Sequence, residues 1–352
     1  MSMDDLLKRT GAWLETSTGD QIVISSRVRL ARNLAAFPFM TKANRTQRAE
    51  LHATCKQRLL EAIADHPVFY VDMENTGSIE RQLLVERHLI SKQLASGEGS
   101  RGVAISDDET CSIMVNEEDH LRLQVLRAGE QLAACWRQAD GIDSRLQELL
   151  PYAFSPKLGY LTACPTNVGT GLRVSVMVHL PALKLTSDIE RVFEAAKEMH
   201  LAIRGLFGEG TEAIGDFYQI SNQTTLGRSE AEILSEFTDS IIPKIIQMEK
   251  LNRQILENER PLLLDDKIGR AIGVLKNARL LTTEETLYYL SHLRLGVAMK
   301  RVAGVSMATI NALFLQTQPA HLQKLLGKEL DNETRRGVRA EYVRKVLQKA
   351  GA

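Results

Sequence analysis

The chain has 352 residues, 44% apolar and 25% charged, enough to bury one or two ordinary cores and too apolar for a disordered protein. Lys plus Arg and Asp plus Glu both number 44, which excludes a global positive field for nucleic acid or an anionic membrane and makes any basic site local. No run of about 18 apolar residues occurs and the N-terminus lacks a signal-like apolar core, so the reading is a cytoplasmic protein without a membrane span.

In chain order, apolar alternation predicts strands at QIVISSRVRL (21–30), HPVFYVDM (66–73), RGVAISDD (101–108), CSIMVN (111–116) and RVSVMVHL (173–180). Helical periodicity predicts helices at 44–64, 118–138 and 187–206. Capping boxes are expected at Ser187 with Glu190, Ser229 with Glu232 and Thr282 with Glu285. From about 253 the sequence is Leu-rich, punctuated by Pro261 and Pro319, with no strand signal. The fold class is therefore α+β over 1–252, followed by an all-α region over 253–352. Cys55, Cys111, Cys135 and Cys164 stand singly without CxxC spacing, which argues against a zinc site or a disulfide framework, and three of them read as small core residues.

Within the first strand, strict alternation puts Arg27 and Arg29 on one face with Val23 and Ser25, and Ile22, Ile24, Ser26 and Val28 on the other. Two cations sharing a face ask for an anion. The common phosphate motifs are missing: GEGSRG at 97–102 fits GxGxxG but follows a helical stretch and precedes a strand, so it reads as a helix-ending turn, and neither GxxxxGK[ST] nor the protein-kinase set occurs. Any phosphate must be held by arginine side chains. Arg173 stands at the mouth of a strand beside a turn with Gly169 and Gly171. Along that strand Arg173, Ser175, Met177 and His179 share one face and Val174, Val176 and Val178 the other. NEEDHLRL ends another strand with Glu117, Glu118 and Asp119, and places Arg122 one helical turn beyond Glu118. Singly, each of these is best read as a solvated charge or surface pair. Four arginines at strand ends, with a further acidic Gly-rich turn carrying Glu209 and Glu212, fit that reading poorly.

The segments SSRVR, NEEDHLR, CPTNVGTGLR and GEGTEAIGDFYQISN resemble, in order, the signature segments of the phosphagen kinases, and within that family its bacterial branch acting on protein arginine side chains. The resemblance implies a catalytic domain with a large antiparallel sheet flanked by helices, ATP as phosphoryl donor, Mg2+ held mainly by the nucleotide phosphates, and a guanidinium acceptor. On matching positions it implies that Ser25, Arg27, Arg29, His88, Arg122, Arg173, Ser175, Phe207, Gly208 and Glu209 bind ATP. It further implies that Glu118 and Glu212 hold the acceptor guanidinium, with Cys164 near that group. Implied partners are proteins with exposed arginines, an activator protein and a Clp-type protease system, in a homodimer serving stress response and protein quality control.

Departures from the small-molecule enzymes bear on the acceptor. Those enzymes carry a helical N-terminal domain of about a hundred residues, ordinary domain size, whereas SSRVR begins here at Ser25. Phe207 and Gly210 replace an arginine and a histidine, which suggests an open acceptor site. Two other readings share the motifs: a kinase for a small guanidino metabolite, against which the short N-terminus weighs, and a degenerate kinase serving as a phosphoarginine-binding adaptor, against which Glu118, Glu212 and the four arginines weigh. The branch also has an Arg-Asp-x-x-Arg-Ala motif that binds phosphoarginine. Here Arg335 and Arg339 match it, but Arg336 stands where the aspartate belongs.

Overall fold

The computed structural model describes residues 3–7, 9–15, 21–63, 67–206 and 214–351. Among them, eight strands form one sheet in the order β2-β3-β4-β5-β1-β8-β10-β9, every neighbouring pair antiparallel. The strands are β1 (Val23–Arg32), β2 (Val68–Asp72), β3 (Gly102–Ser106), β4 (Cys111–Val115), β5 (Leu121–Ala128), β8 (Leu172–His179), β9 (Leu201–Arg204) and β10 (Phe217–Asn222). A separate hairpin pairs β6 (Phe154–Ser155) with β7 (Gly159–Tyr160).

One face of the sheet sends Val28, Leu30, Leu123, Val125, Val174, Val176 and Val178 into a core closed by Leu51, Cys55 and Leu59 of the Arg45–Ala62 helix and Cys135, Ala139 and Ile142 of the Leu132–Leu149 helix. Cys111 lies in the same core, so three of the four cysteines are small apolar fillers, and only Cys164 is partly exposed. The opposite face is divided. At one end Ile24, Leu126, Met177 and Phe217 pack against Leu287, Leu290, Leu293, Leu313 and Phe314 of the C-terminal helices, and the Phe217 and Phe314 rings meet edge-on at 4.7 Å. At the other end the polar side chains of the same strands remain uncovered by those helices.

The C-terminal helices are Pro261–Asn277, Thr283–Ala298, Met307–Gln316, Pro319–Leu326 and Asn332–Lys349, preceded by the long Ile242–Glu259 helix, which runs through position 252. Pro261 and Pro319 each sit in the first helical turn, where the missing N–H costs nothing. No helix among the described residues is long and apolar enough to cross a membrane.

Four local expectations need correction. The pairing of β1 with β8 shifts between Val23 and Ser25. That bulge sends Val23 into the core with Val28, and Ile24 to the opposite face with Leu126 and Met177, reversing their expected sides. The stretch 118–138 is not one helix: a turn is followed by β5, in which Leu121, Leu123 and Val125 alternate inward, and after Gly129, at φ 70°, the helix starts only at Leu132. Residues 187–206 divide into the Ile189–Glu198 helix and β9. At Ser187 no capping box forms, because the residue takes φ 68° and Asp188 becomes the N-cap without a side-chain bond. The boxes at Ser229 and Thr282 are present, and GEGSRG does end the Lys92–Ser96 helix before β3.

Candidate active site

The uncovered part of the second sheet face is a field of arginines. Antiparallel register places Arg27 between Leu126 of β5 and Ser175 of β8, and Arg29 between Gln124 and Arg173. Arg122 of β5 and Arg204 of β9 add to the row, so four strands contribute five guanidinium groups: Arg27, Arg29, Arg122, Arg173 and Arg204. Arg27 Nη2 donates to Gln219 Oε1 (2.5 Å) and its Nε to Ser175 Oγ (3.3 Å). Arg173 Nε donates to the Asn222 carbonyl (3.3 Å). Arg29 is 8% exposed, and its Nε and Nη2 find no hydrogen-bond partner among the described residues.

This packing weighs against the charged forms of the groups. Burial, then Arg122, Arg173 and Arg204, pushes Arg27 down to about 9. Arg29 lies far below the usual arginine value, chiefly through burial and then through Arg27. A guanidinium stays protonated in proteins, so the unpaired nitrogens of Arg29 mark a place made for a multivalent anion.

Arg27, Arg29, Arg122 and Arg204 line a cleft of about 250 Å³ with His88, Ser91, Lys92, Glu117, Gln124 and Gln219. His88 closes one wall. It follows the Ser78–Glu86 helix at φ 59°, rare for a side-chain-bearing residue, and its carbonyl accepts from Gln124 Nε2 (2.6 Å). Its ring meets Trp13 edge-on at 4.4 Å. Burial, then Arg27, lowers its imidazole to about 3, so it is neutral. Ser25, Ser175, Arg27 and His88 border a second, small space with Trp13 and Gln219.

Arg122 lies on a strand, not on a helical turn after Glu118, and it forms an ion pair with Glu117 (2.6 Å). Burial opposes charge on both partners. Mutual attraction overrides it, holding Glu117 below the usual carboxylate value and Arg122 above the usual arginine value. Glu118, half-buried, occupies the turn between β4 and β5. That turn is braced throughout. Asn116 donates Nδ2 to the Arg48 and Ser100 carbonyls (2.8 and 2.7 Å). His120 Nδ1 accepts from the Leu34 N–H (3.0 Å), which leaves Nε2 to donate to the Pro38 carbonyl (3.0 Å). Asp119 Oδ1 accepts from Asn33 Nδ2 (2.6 Å) and from the Ala163 N–H (2.7 Å). One carboxylate thus joins the Glu118 turn to the loop carrying Cys164, whose Sγ lies 3.0 Å from Thr166 Oγ1.

Phe207, Gly208, Glu209 and Glu212 lie outside the described residues. Arg335 is half-buried on the last helix, with Nη1 toward the Leu330 carbonyl (3.4 Å) and Nη2 toward Asn332 Oδ1 (3.3 Å). Arg339 is 2% exposed, and its Nε and Nη1 donate to the Thr317 and Leu281 carbonyls (2.8 and 3.0 Å). Sequence reasoning missed Arg204, Gln124 and Gln219 as cleft residues. The signal was the same period of two that exposed Arg27 and Arg29, on strands too short or too ambiguous to be read as such.

The sheet and its arginine-lined cleft have known counterparts. Residues 50–252 match the family ATP:guanido phosphotransferase, C-terminal catalytic domain, and the chain belongs to that family. Residues 261–352 match the protein-arginine kinase McsB C-terminal domain, which narrows the membership to the protein-arginine kinases. The protein-arginine kinase of Halothermothrix orenii is 44% identical over 98% of this chain and 99% of its own length. That of Moorella thermoacetica is 45% identical over 97% and 98%. Among solved structures, the duplicated taurocyamine kinase of Schistosoma mansoni with bound transition state analog components matches with TM-score 0.61 and 30% identity, over 69% of this chain and 35% of that longer one. A lombricine kinase matches with TM-score 0.57 and 26% identity, over 71% and 70%.

Proposed function

We propose that this protein transfers the γ-phosphoryl group of ATP to the guanidinium of arginine residues in proteins. The observation that carries the reading is the row of five arginines on one sheet face, with buried nitrogens of Arg29 unpartnered, in a chain similar over nearly its whole length to proteins named for that activity. The polyphosphate answers the field: its oxygens take the orphaned donors, and its charge relieves the repulsion among the guanidinium groups.

The acceptor sets the rest of the chemistry. A guanidinium is protonated to pH above about 12 with its lone pairs delocalised, so it is a poor nucleophile until a proton leaves. Glu118 stands on a turn fixed at both ends, with Cys164 on the adjoining loop, and by family resemblance Glu212 is the second carboxylate. Between them the planar fork is aligned and one carboxylate takes the proton. A nitrogen–phosphorus bond forms as the bond from γ-phosphorus to the ADP oxygen breaks. Arg27, Arg29, Arg122 and Arg173 then stabilise charge on the transferring group and on ADP. Among the described residues no group of three or more His, Cys, Asp or Glu side chains is arranged to hold a metal. Mg2+ would ride on the nucleotide phosphates, with Glu117 the carboxylate lining the cleft.

Purified protein incubated with ATP and Mg2+ is expected to place acid-labile phosphate on casein and little on free arginine. Phosphate on free arginine alone would make it a small-guanidino kinase, and phosphate on neither would leave a binding adaptor.

The remaining features belong to the same proposal: a catalytic unit over 1–252, a helical unit over 253–352 that dimerises, a cytoplasmic setting, and work alongside an activator protein and a Clp-type protease in stress response. The dimer is supported by Leu262 and Leu280, 84% and 50% exposed on the helical region. Regulation by phosphoarginine is expected to be weak. Arg336 adds a positive charge where the ligand's own guanidinium needs an acid, and its Nε already lacks a partner among the described residues. Free phosphoarginine should therefore leave wild-type kinase rates nearly unchanged, and Arg336→Asp should create a response that Arg339→Ala abolishes. A strong response in the wild type would overturn this account.

A further inference from the structure

A buried cluster that the chemistry does not use joins the helical region to the wall of the nucleotide cleft. Glu86, Arg87, Glu109 and His321 are each 3% exposed or less. The Pro319–Leu326 helix has no side-chain cap of its own, since Gln318 provides none. Glu86, 234 residues earlier, supplies the cap instead. Its Oε1 accepts from the Ala320 N–H (2.9 Å), and its Oε2 accepts from the His321 N–H (3.1 Å). The same Oε2 lies 2.8 Å from His321 Nδ1, while His321 Nε2 lies 3.2 Å from Arg87 Nη1. A guanidinium only donates, so Nε2 accepts and Nδ1 carries the proton that it gives to Glu86. The imidazole is therefore neutral and locked in one tautomer. Burial, with Arg87 adding to it, works in the same direction against the pull of Glu86.

Arg87 is held from its other side as well. Its Nε and Nη2 form a fork on Glu109 (2.7 and 2.6 Å) at the β3–β4 turn, and Nη2 reaches the Arg9 carbonyl (3.2 Å). The next residue is His88, with its left-handed backbone and its ring in the cleft. Fixing the Arg87 guanidinium at both ends fixes where the chain enters that strained turn. On the far side, the Thr317 carbonyl, two residues before Pro319, accepts from Arg339.

We propose that His321 and Glu86 are positioning residues for nucleotide binding: through Arg87 they hold the turn at His88, so the helical region sets the ATP affinity of the sheet. The role assigned to the cleft rests on the function proposed above, but the test reads ATP binding directly and does not depend on the acceptor.

The test measures ATP dissociation constants by calorimetry, the KM for ATP against kcat, and thermal melting, on the full-length wild type and four variants. His321→Ala should weaken ATP binding and raise its KM about tenfold, a loss of about 1.4 kcal/mol, with kcat within about twofold. His321→Gln should recover part of the loss, because its carboxamide oxygen can accept from Arg87. Glu86→Gln, nearly isosteric, covers the case in which His321→Ala does not fold. Lys324→Ala is the control, since it removes a surface contact of 2.7 Å to Glu80 between the same two helices and should leave the KM unchanged. Folded His321 and Glu86 variants that melt lower but bind ATP like the wild type would overturn the proposal, as would an equal loss in Lys324→Ala. A wild type that binds ATP without phosphorylating any acceptor would sink the enzymatic reading and leave this one standing.

Discussion

Glu118→Gln should lose about 10²–10⁴-fold in kcat, the ordinary worth of a positioned general base, while its affinity for ATP stays close to that of the wild type. The substitution keeps size and hydrogen-bonding reach but removes the ability to take a proton from the acceptor. The turn itself should survive, because Asn116, Asp119 and His120 brace it. ATP affinity should survive as well, because under the proposed function it is the strand arginines that take the phosphates. Glu212→Ala is expected to behave alike. Calorimetric titration with ATP beside a single-turnover assay separates the two quantities, and a parallel fall in both would mean that Glu118 serves the nucleotide.

Arg29→Ala should cut ATP affinity at least about a hundredfold, in line with losing a buried, charge-assisted contact worth roughly 2–5 kcal/mol. Arg29→Lys should rescue little, since an ammonium carries the charge but not the planar fork. The same variant should show an opposite effect on the empty protein. A buried guanidinium whose Nε and Nη2 have no hydrogen-bond partner among the described residues, repelled by Arg27, Arg122 and Arg173, destabilises the fold it sits in. Arg29→Ala without ligand should therefore melt at or above the wild-type temperature, and tripolyphosphate should raise the wild-type midpoint more than the variant's. A destabilised Arg29→Ala would show that the residue holds the sheet together and that its role in binding is secondary.

How far this site could be read from the sequence depended on the regularity of each strand. At Arg27 and Arg29 the period of two is unbroken, so their shared face was visible. Three residues earlier the bulge at Val23 to Ser25 reverses sides, and no residue there announces it. In β5 the leucines and valine that alternate inward also fit a helical spacing with Leu126 and Leu132, and pairing with β1 and β4 decides between them. Arg204 stayed hidden because β9 has four residues, too few for a period to stand out. The pairing of Arg122 with Glu117 came from folding the acidic run into a tight turn, which a helical reading of that run could not give. The cap that Glu86 gives to a helix 234 residues away is a tertiary substitute for a local signal, and local signals are what sequence reading relies on.

The way the helical region lies on the sheet limits how the chain can be dissected. Ile24, Leu126, Met177 and Phe217 are sheet residues, yet beside Trp13 and Leu14 they share their core with Leu287, Leu290, Leu293, Leu313 and Phe314 of the helical region. A fragment ending at 252 would keep every arginine of the cleft and expose that apolar face to water, together with the edge-on Phe217 that loses its neighbour. Such a fragment is an aggregation-prone half of a shared core, so gene fusions, split reporters and minimal versions of this protein should be joined at its ends and never at the family boundary within it.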